Sequence, residues 1–84
     1  MSKTVYVGLI EITPTQASIM RFVDDWVRQK KTPVPRSKIM AQMILEGIVA
    51  PTVIKSLESL LELGYIRKGI VISNKTYYVQ LRRI

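Results

Sequence analysis

The segment from Ala50 to Lys68, APTVIKSLESLLELGYIRK, constrains the fold of this chain more than any other. Its apolar residues recur at helical spacing, which predicts one helix from Pro51 onward with a single buried face. That face would contain Val53 or Ile54, Leu57, Leu60, Leu61 and Leu63. Gly64 ends the helix, because glycine readily adopts the left-handed conformation of a helix terminus. The segment therefore predicts a helix that leads directly into a short basic strand.

A first helix is predicted upstream, over about 14–30. In Thr13-Pro14-Thr15-Gln16, the threonine can cap the helix, the proline suits its first position, and Gln16 has the spacing of a capping box. An apolar stripe then repeats at helical spacing. The stripe consists of Ile19, Phe22, Val23, Trp26 and Val27, and we expect Phe22 and Trp26 to lie in the core. Lys30 and Lys31 would fall in the last turn, where cations complement the helix dipole.

A second helix is predicted after the proline-containing segment Thr32-Pro33-Val34-Pro35, which cannot be helical because each proline restricts the residue before it. Ser37 would either cap this helix or lie in its first turn. The helix would end near Glu46-Gly47. Its apolar face would be formed by Ile39, Met40, Met43 and Ile44.

Two stretches have the alternation of β-strands. Residues 66–82 predict a hairpin that turns at Ser73-Asn74-Lys75, since asparagine tolerates positive φ well. On its first strand, the alternation of Ile66, Ile70 and Ile72 with Arg67, Gly69 and Val71 predicts that the isoleucines form a half-buried face. On its return strand, Tyr77 and Tyr78 point to opposite faces, so one belongs to the core, but the alternation does not decide which. Residues 4–10, TVYVGLI, predict a short N-terminal strand. A lone strand leaves unpaired backbone groups, so it would pair with the hairpin edge or with a second copy of the chain. A homodimer through this strand is therefore a hypothesis.

The charge is large and unevenly distributed. Thirteen Lys and Arg against six acids give +7 over 84 residues. The stretches from Trp26 to Leu45 and from Leu63 to the end contain cations and no acid. A field of one sign attracts polyanions, which favours nucleic acid as a partner over a basic surface that serves only solubility. Arg36 and Lys38, at the start of the second helix, could hold phosphate with help from the helix N-terminus, or could be plain surface charge.

The residues Gly47-Ile48-Val49-Ala50-Pro51-Thr52-Val53, followed by Leu57, Leu61 and Gly64-Tyr65-Ile66-Arg67-Lys68, resemble the helix-turn-helix of MarR-type winged-helix regulators. More loosely, Thr13 to Arg83 resembles winged helices in general, including the DNA-binding domain of LexA-type repressors. The resemblance implies an α+β winged helix-turn-helix in one domain over 1–84, with three helices, a C-terminal β-hairpin wing and a short N-terminal strand. In that family the third helix enters the major groove and the wing contacts the flanking backbone.

The resemblance also implies which residues would contact DNA. On the third helix these are Thr52, Lys55, Ser56 and Ser59, and on the wing they are Arg67, Lys68, Asn74 and Lys75. The chain departs from the family pattern at Val49-Ala50, where a serine or threonine usually caps the helix. The third helix also has Lys55 as its one cation, against Glu58 and Glu62. We therefore expect more backbone binding than base recognition, which relies on arginine, asparagine and glutamine.

Several functions are disfavoured by what the sequence lacks. It has no cysteine and no histidine, so the commonest metal ligands and acid–base groups are missing. Asp24 and Asp25 point about 100° apart on a helix and cannot converge as a carboxylate pair. No apolar run reaches the length of about 18 residues that a transmembrane helix needs. We expect no enzyme, no cofactor, no metal, no small-molecule ligand and no membrane association, and a cytoplasmic location.

Two hypotheses follow. The first is a non-catalytic protein that binds double-stranded DNA, either as a small transcriptional regulator or as a plasmid or phage accessory in replication or partition. The alternative is a winged-helix module that binds a partner protein and has no direct role on DNA. For that module, Glu58, Glu62 and the apolar pair Val53-Ile54 would form the contact surface.

Overall fold

The structure, a computed structural model, describes residues 5–7 and 10–83 as three helices and two antiparallel sheets. The α+β class and the order of the helices and C-terminal strands are as the sequence predicted. The elements are β1 (Val5–Val7), β2 (Ile10–Ile12), α1 (Pro14–Lys30), β3 (Val34–Pro35), α2 (Arg36–Leu45), α3 (Ala50–Leu63), β4 (Ile66–Ile72) and β5 (Lys75–Gln80).

Helix α1 has the predicted bounds, and hydrogen bonds between residues of its first turn determine where it starts. The Gln16 backbone N–H donates to Thr13 Oγ1 at 3.2 Å, and the Thr13 N–H donates to Gln16 Oε1 at 3.1 Å. This is the predicted capping box, which satisfies two N–H groups that the helix itself cannot. At the other end, Lys31 lies beyond the last turn and takes a left-handed conformation with φ 55°. The prediction that Lys31 belongs to the last turn was therefore wrong.

Helix α2 begins at Arg36, so Ser37 lies in its first turn and does not cap it. The cap position is occupied by Pro35, which has no side chain able to accept a hydrogen bond. Ile39 and Met43 are buried, whereas Ile44 is 54% exposed. Ile44 was expected on the apolar face, but it lies about 100° around the helix from Met43 and outside the narrow contact strip.

Helix α3 buries Val53, Leu57 and Leu60 as expected and begins one residue before Pro51. Leu63 is 41% exposed, which corrects its predicted burial. It occupies the last position of the helix, where the chain already turns toward the sheet. Gly64 follows in the left-handed conformation, with φ 80°, and the Tyr65 N–H donates to the Leu60 carbonyl at 3.0 Å.

Replacing Gly64 with alanine tests how much the left-handed glycine at the end of α3 contributes to stability. A Cβ at Gly64 would meet no heavy atom within 4 Å, so the cost comes only from holding an L-residue at φ 80°. We expect the free energy of unfolding in urea to fall by about 1 kcal/mol. An unchanged or increased stability would show that the left-handed terminus does not constrain the chain.

The larger sheet has the strand order β3-β5-β4, with both pairs antiparallel. Lys68 lies opposite Tyr78 and Val71 lies opposite Thr76, so β4 contains one extra residue between these pairs. Such a bulge inverts the alternation of side chains beyond it. Ile72, expected to be half-buried with Ile66, is consequently 55% exposed. The turn consists of Ser73 and Asn74, both with positive φ, and Lys75 already belongs to β5.

The N-terminal strand has a partner within the chain. β1 pairs antiparallel with β2, and Val5 lies opposite Ile12. This corrects the expectation of a lone strand and removes the observation on which the proposed homodimer depended. The predicted strand over 4–10 falls partly on Thr4, Gly8 and Leu9, which lie outside the described residues.

The core lies between the helices and one face of the larger sheet. Tyr78 is 2% exposed and belongs to it, which decides between the two adjacent tyrosines. Phe22 and Trp26 pack against this core as the apolar stripe predicted, but they are only partly buried. The buried apolar side chains are Ile12, Ala17, Ile19, Met20, Val23, Val34, Ile39, Met43, Val53, Leu57, Leu60, Tyr65, Ile66 and Tyr78.

Candidate nucleic-acid interface

The structure brings the start of α2 and the tip of the β4–β5 hairpin together. β3 leads into α2 without an intervening residue and pairs with β5, so the first turn of the helix lies beside the turn of the hairpin. The two elements enclose a cleft of ≈ 270 Å³, which we call the α2–hairpin cleft. It is lined by Arg36, Ser37, Met40, Asn74, Lys75 and Thr76, and by no acidic residue.

The electrostatics of this cleft favour an anion. The first turn of α2 contains no acid, and no side chain caps its N–H groups, so the positive end of the helix dipole remains uncompensated there. Arg36 and Lys75 add two cations in the cleft, and Lys38 adds an exposed one in the same helical turn. The ion pairs among the described residues lie elsewhere and join Asp24 or Asp25 to Arg28 or Arg83.

The predicted contact residues of α3 lie in a second place. Thr52, Lys55, Ser56 and Ser59 line a shallow hollow of ≈ 430 Å³ together with residues 13–16 at the start of α1. Thr52 and Lys55 are exposed, and Ser59 is partly buried. Ser56 is only 7% exposed, so little of its side chain is available for the predicted contact with DNA. It lies on the flank of α3 that packs toward α1, and the sequence could not indicate which flank that would be.

The outermost face of α3 carries mixed charge. Lys55, Glu58 and Glu62 are all exposed on it, spaced by three and four residues. Val49 precedes the helix without a side-chain cap, as the sequence indicated. Two carboxylates on the C-terminal half of α3 would repel a phosphate backbone, so only the first turns suit close approach to DNA. Val53 is fully buried, which removes one of the two apolar residues expected to form a protein-docking surface.

Arg67 and Lys68 lie in a third place, at the base of the hairpin. They line a groove of ≈ 740 Å³ on the sheet, which we call the outer groove. Its lining residues are Trp26, Thr32, Pro33, Pro35, Arg67, Lys68, Gly69, Ile72, Tyr77 and Val79. The groove was not predicted, because the helical spacing of Trp26 indicated a core position. The sequence pattern that indicates the groove is the alternation in β5, which puts Tyr77 and Val79 on the face opposite Tyr78.

Tyr78 lies within electrostatic range of Arg36, at the start of α2, and of Glu58 on α3. Burial raises the pKa of its hydroxyl above the ordinary value of 10.0, Arg36 acts to lower that pKa, and Glu58 acts to raise it.

A pH prediction follows from this raised pKa. Because the folded chain holds the phenolic proton more tightly than the unfolded chain, this contribution to stability is complete below pH 10 and is lost as pH rises through the raised pKa. We expect the free energy of unfolding to decline less above about pH 10 in Tyr78→Phe than in the parent chain. Urea titrations across that range measure the difference, with Tyr77→Phe as the control. Equal declines in the parent and Tyr78→Phe would contradict the prediction.

Other kinds of site find no support in the described part of the chain. Residues 5–7 and 10–83 contain no group of three or more metal-ligating side chains. None of the helices described combines the length and the apolar character that crossing a membrane requires. No family model matches the sequence, and neither a curated protein nor a solved structure matches it.

Proposed function

We propose that this chain binds double-stranded DNA without catalysis and that it grips the phosphate backbone through the α2–hairpin cleft. The observation that carries the proposal is the convergence of Arg36, Lys75 and the uncapped start of α2 in a cleft without acids. Phosphate contacts of this kind supply most of the sequence-independent affinity of DNA-binding proteins. Lys38 and Asn74 extend the same surface.

The arrangement of elements supports a winged helix as the finer description of the fold. Three helices precede a two-stranded hairpin whose tip projects beside α2. In this proposal the hairpin is the wing and follows the backbone. The exposed Thr52 and Lys55 bring the first turns of α3 to the major groove, while Glu58 and Glu62 keep its C-terminal half away. Base recognition is correspondingly limited. Arg67 and Lys68 lie apart from this surface, and the proposal does not depend on them.

Such a protein would act as a small transcriptional regulator or as a plasmid or phage accessory in replication or partition. The direct test is fluorescence anisotropy of a labelled duplex of random sequence, about 20 base pairs long, at about 50 mM salt. We expect saturable binding in or below the micromolar range, as for sequence-independent DNA binding at low salt. A flat titration up to about 100 µM protein would overturn the proposal, because non-specific binders reach this affinity even at physiological salt.

A further inference from the structure

The outer groove has a different chemistry from the α2–hairpin cleft and shares no residue with it. Tyr77 lines the groove and the neighbouring Thr76 lines the cleft, so the two sites lie on opposite faces of β5. The groove is concave and its lining is mainly apolar, and it includes Trp26, Tyr77 and Val79. Apolar concavities with a few convergent polar groups are the usual form of binding sites.

The charge around the groove has one sign. Arg67 and Lys68 line it, and no acidic residue does. A shallower hollow continues from it past the shared residues Thr32, Pro33 and Val79. This hollow adds Lys31 and no acid to the lining. Arg28 and Arg83 also line that hollow, but Asp24 and Asp25 already engage them. The cations available to an occupant are therefore Arg67, Lys68 and Lys31, beside a mainly apolar lining.

We propose that the outer groove binds an acidic segment of a partner protein that places one or two apolar side chains on Trp26, Tyr77 and Val79. Carboxylates of that segment would pair with Arg67 and Lys68, and a longer segment would reach Lys31. The complementary charge selects an acidic partner, and the apolar lining selects one that also carries large apolar residues. This site does not depend on DNA binding.

Single-stranded nucleic acid is the other polyanion that combines negative charge with flat apolar groups, and the geometry around Trp26 disfavours it. Base stacking needs an open aromatic face. The Lys30 ammonium lies over the Trp26 ring, 5.2 Å from its centroid, and the Phe22 ring packs against it at 6.1 Å with a tilt of 49°. Successive stacked bases would need several open aromatic rings, and the groove's aromatic residues are Trp26 and Tyr77, both partly buried. One or two apolar side chains need only part of the mainly apolar lining.

Trp26 is the one tryptophan of the chain, so its fluorescence reports occupancy of the groove directly. The probe is a synthetic peptide of about ten residues in which glutamate alternates with leucine and phenylalanine. We expect a saturable change in the Trp26 emission. A peptide of equal charge with glycine at the apolar positions, and a single-stranded oligothymidylate of similar length, should each bind at least about tenfold more weakly.

Two variants on the same hairpin separate this site from the DNA site. Arg67→Glu should weaken the peptide about tenfold and Lys75→Glu should leave it unchanged, because Arg67 lies opposite Val79 in the groove and Lys75 lines the cleft. Tyr77→Ser should weaken the peptide similarly, with the exposed Leu81→Ser as its control and circular dichroism to confirm folding.

Three results would overturn the proposal: no peptide binding, equal binding of the glycine peptide, or preferred binding of the oligothymidylate. Failure of the DNA proposal would appear separately, as absent duplex binding by the parent chain.

Discussion

Replacing both Arg36 and Lys75 with glutamate is expected to weaken binding of random duplex DNA about a hundredfold at about 50 mM salt. The two cations face each other across the α2–hairpin cleft, so the reversal removes two phosphate contacts and adds two repulsive charges. The slope of log Kd against log salt should also fall by about two, since each cation lost removes about one from it. Anisotropy titrations at several salt concentrations measure both quantities.

The matched control is Arg67→Glu with Lys68→Glu. This control changes the net charge by the same amount, but both of its substitutions lie at the outer groove. We expect it to weaken DNA binding far less. Unfolding does not confound the comparison, because glutamate at the first position of α2 is favourable to the helix dipole and Lys75 is exposed. Equal losses in the two double variants would contradict a specific role of the cleft and indicate only a general effect of charge.

The second large effect concerns stability. Leu60→Ala should lower the free energy of unfolding by about 2–5 kcal/mol, because Leu60 is fully buried in the core and its loss leaves a cavity. A domain of this size has a total stability of about 4 to 13 kcal/mol, so the substitution removes a large share of it. Urea and thermal unfolding followed by circular dichroism measure the loss.

Leu63→Ala is the control for this substitution. The two leucines belong to the same helix, and Leu63 is 41% exposed. Its replacement should cost less than about 1 kcal/mol, because little apolar surface is buried there and no cavity forms. Comparable losses at both positions would show that α3 packs through a different face.

The parts of this fold that depend on local chemistry could be predicted from the sequence. The capping box of Thr13 and Gln16 and the left-handed glycine at Gly64 each involve residues within one helical turn, and both helix boundaries were right to within a residue. The turn at Asn74 likewise depends on a local backbone preference, since asparagine tolerates the positive φ found there. Short-range hydrogen bonds and backbone preferences decide these features without help from the rest of the chain.

Features set by long-range packing could not be predicted. The burial of Ser56 depends on where the start of α1 lies, and the exposure of Ile72 depends on a bulge that only the pairing with β5 reveals. The candidate sites also combine residues that the sequence indicates with an arrangement that only tertiary packing decides. Arg36 and Lys75 were both chosen from the sequence, but their convergence arises from the pairing of β3 with β5. The outer groove joins Trp26 to Tyr77 through tertiary packing alone and was missed.

The most direct test of the DNA proposal is the salt dependence of duplex binding by the parent chain. Each phosphate neutralised by a cation contributes about 0.9 to the slope of log Kd against log salt. Contacts from Arg36, Lys38, Lys55 and Lys75 therefore predict a slope of about 3 to 4 for a random duplex. Binding of that steepness would support backbone gripping by this surface, whereas affinity that stays flat between low and physiological salt would contradict it.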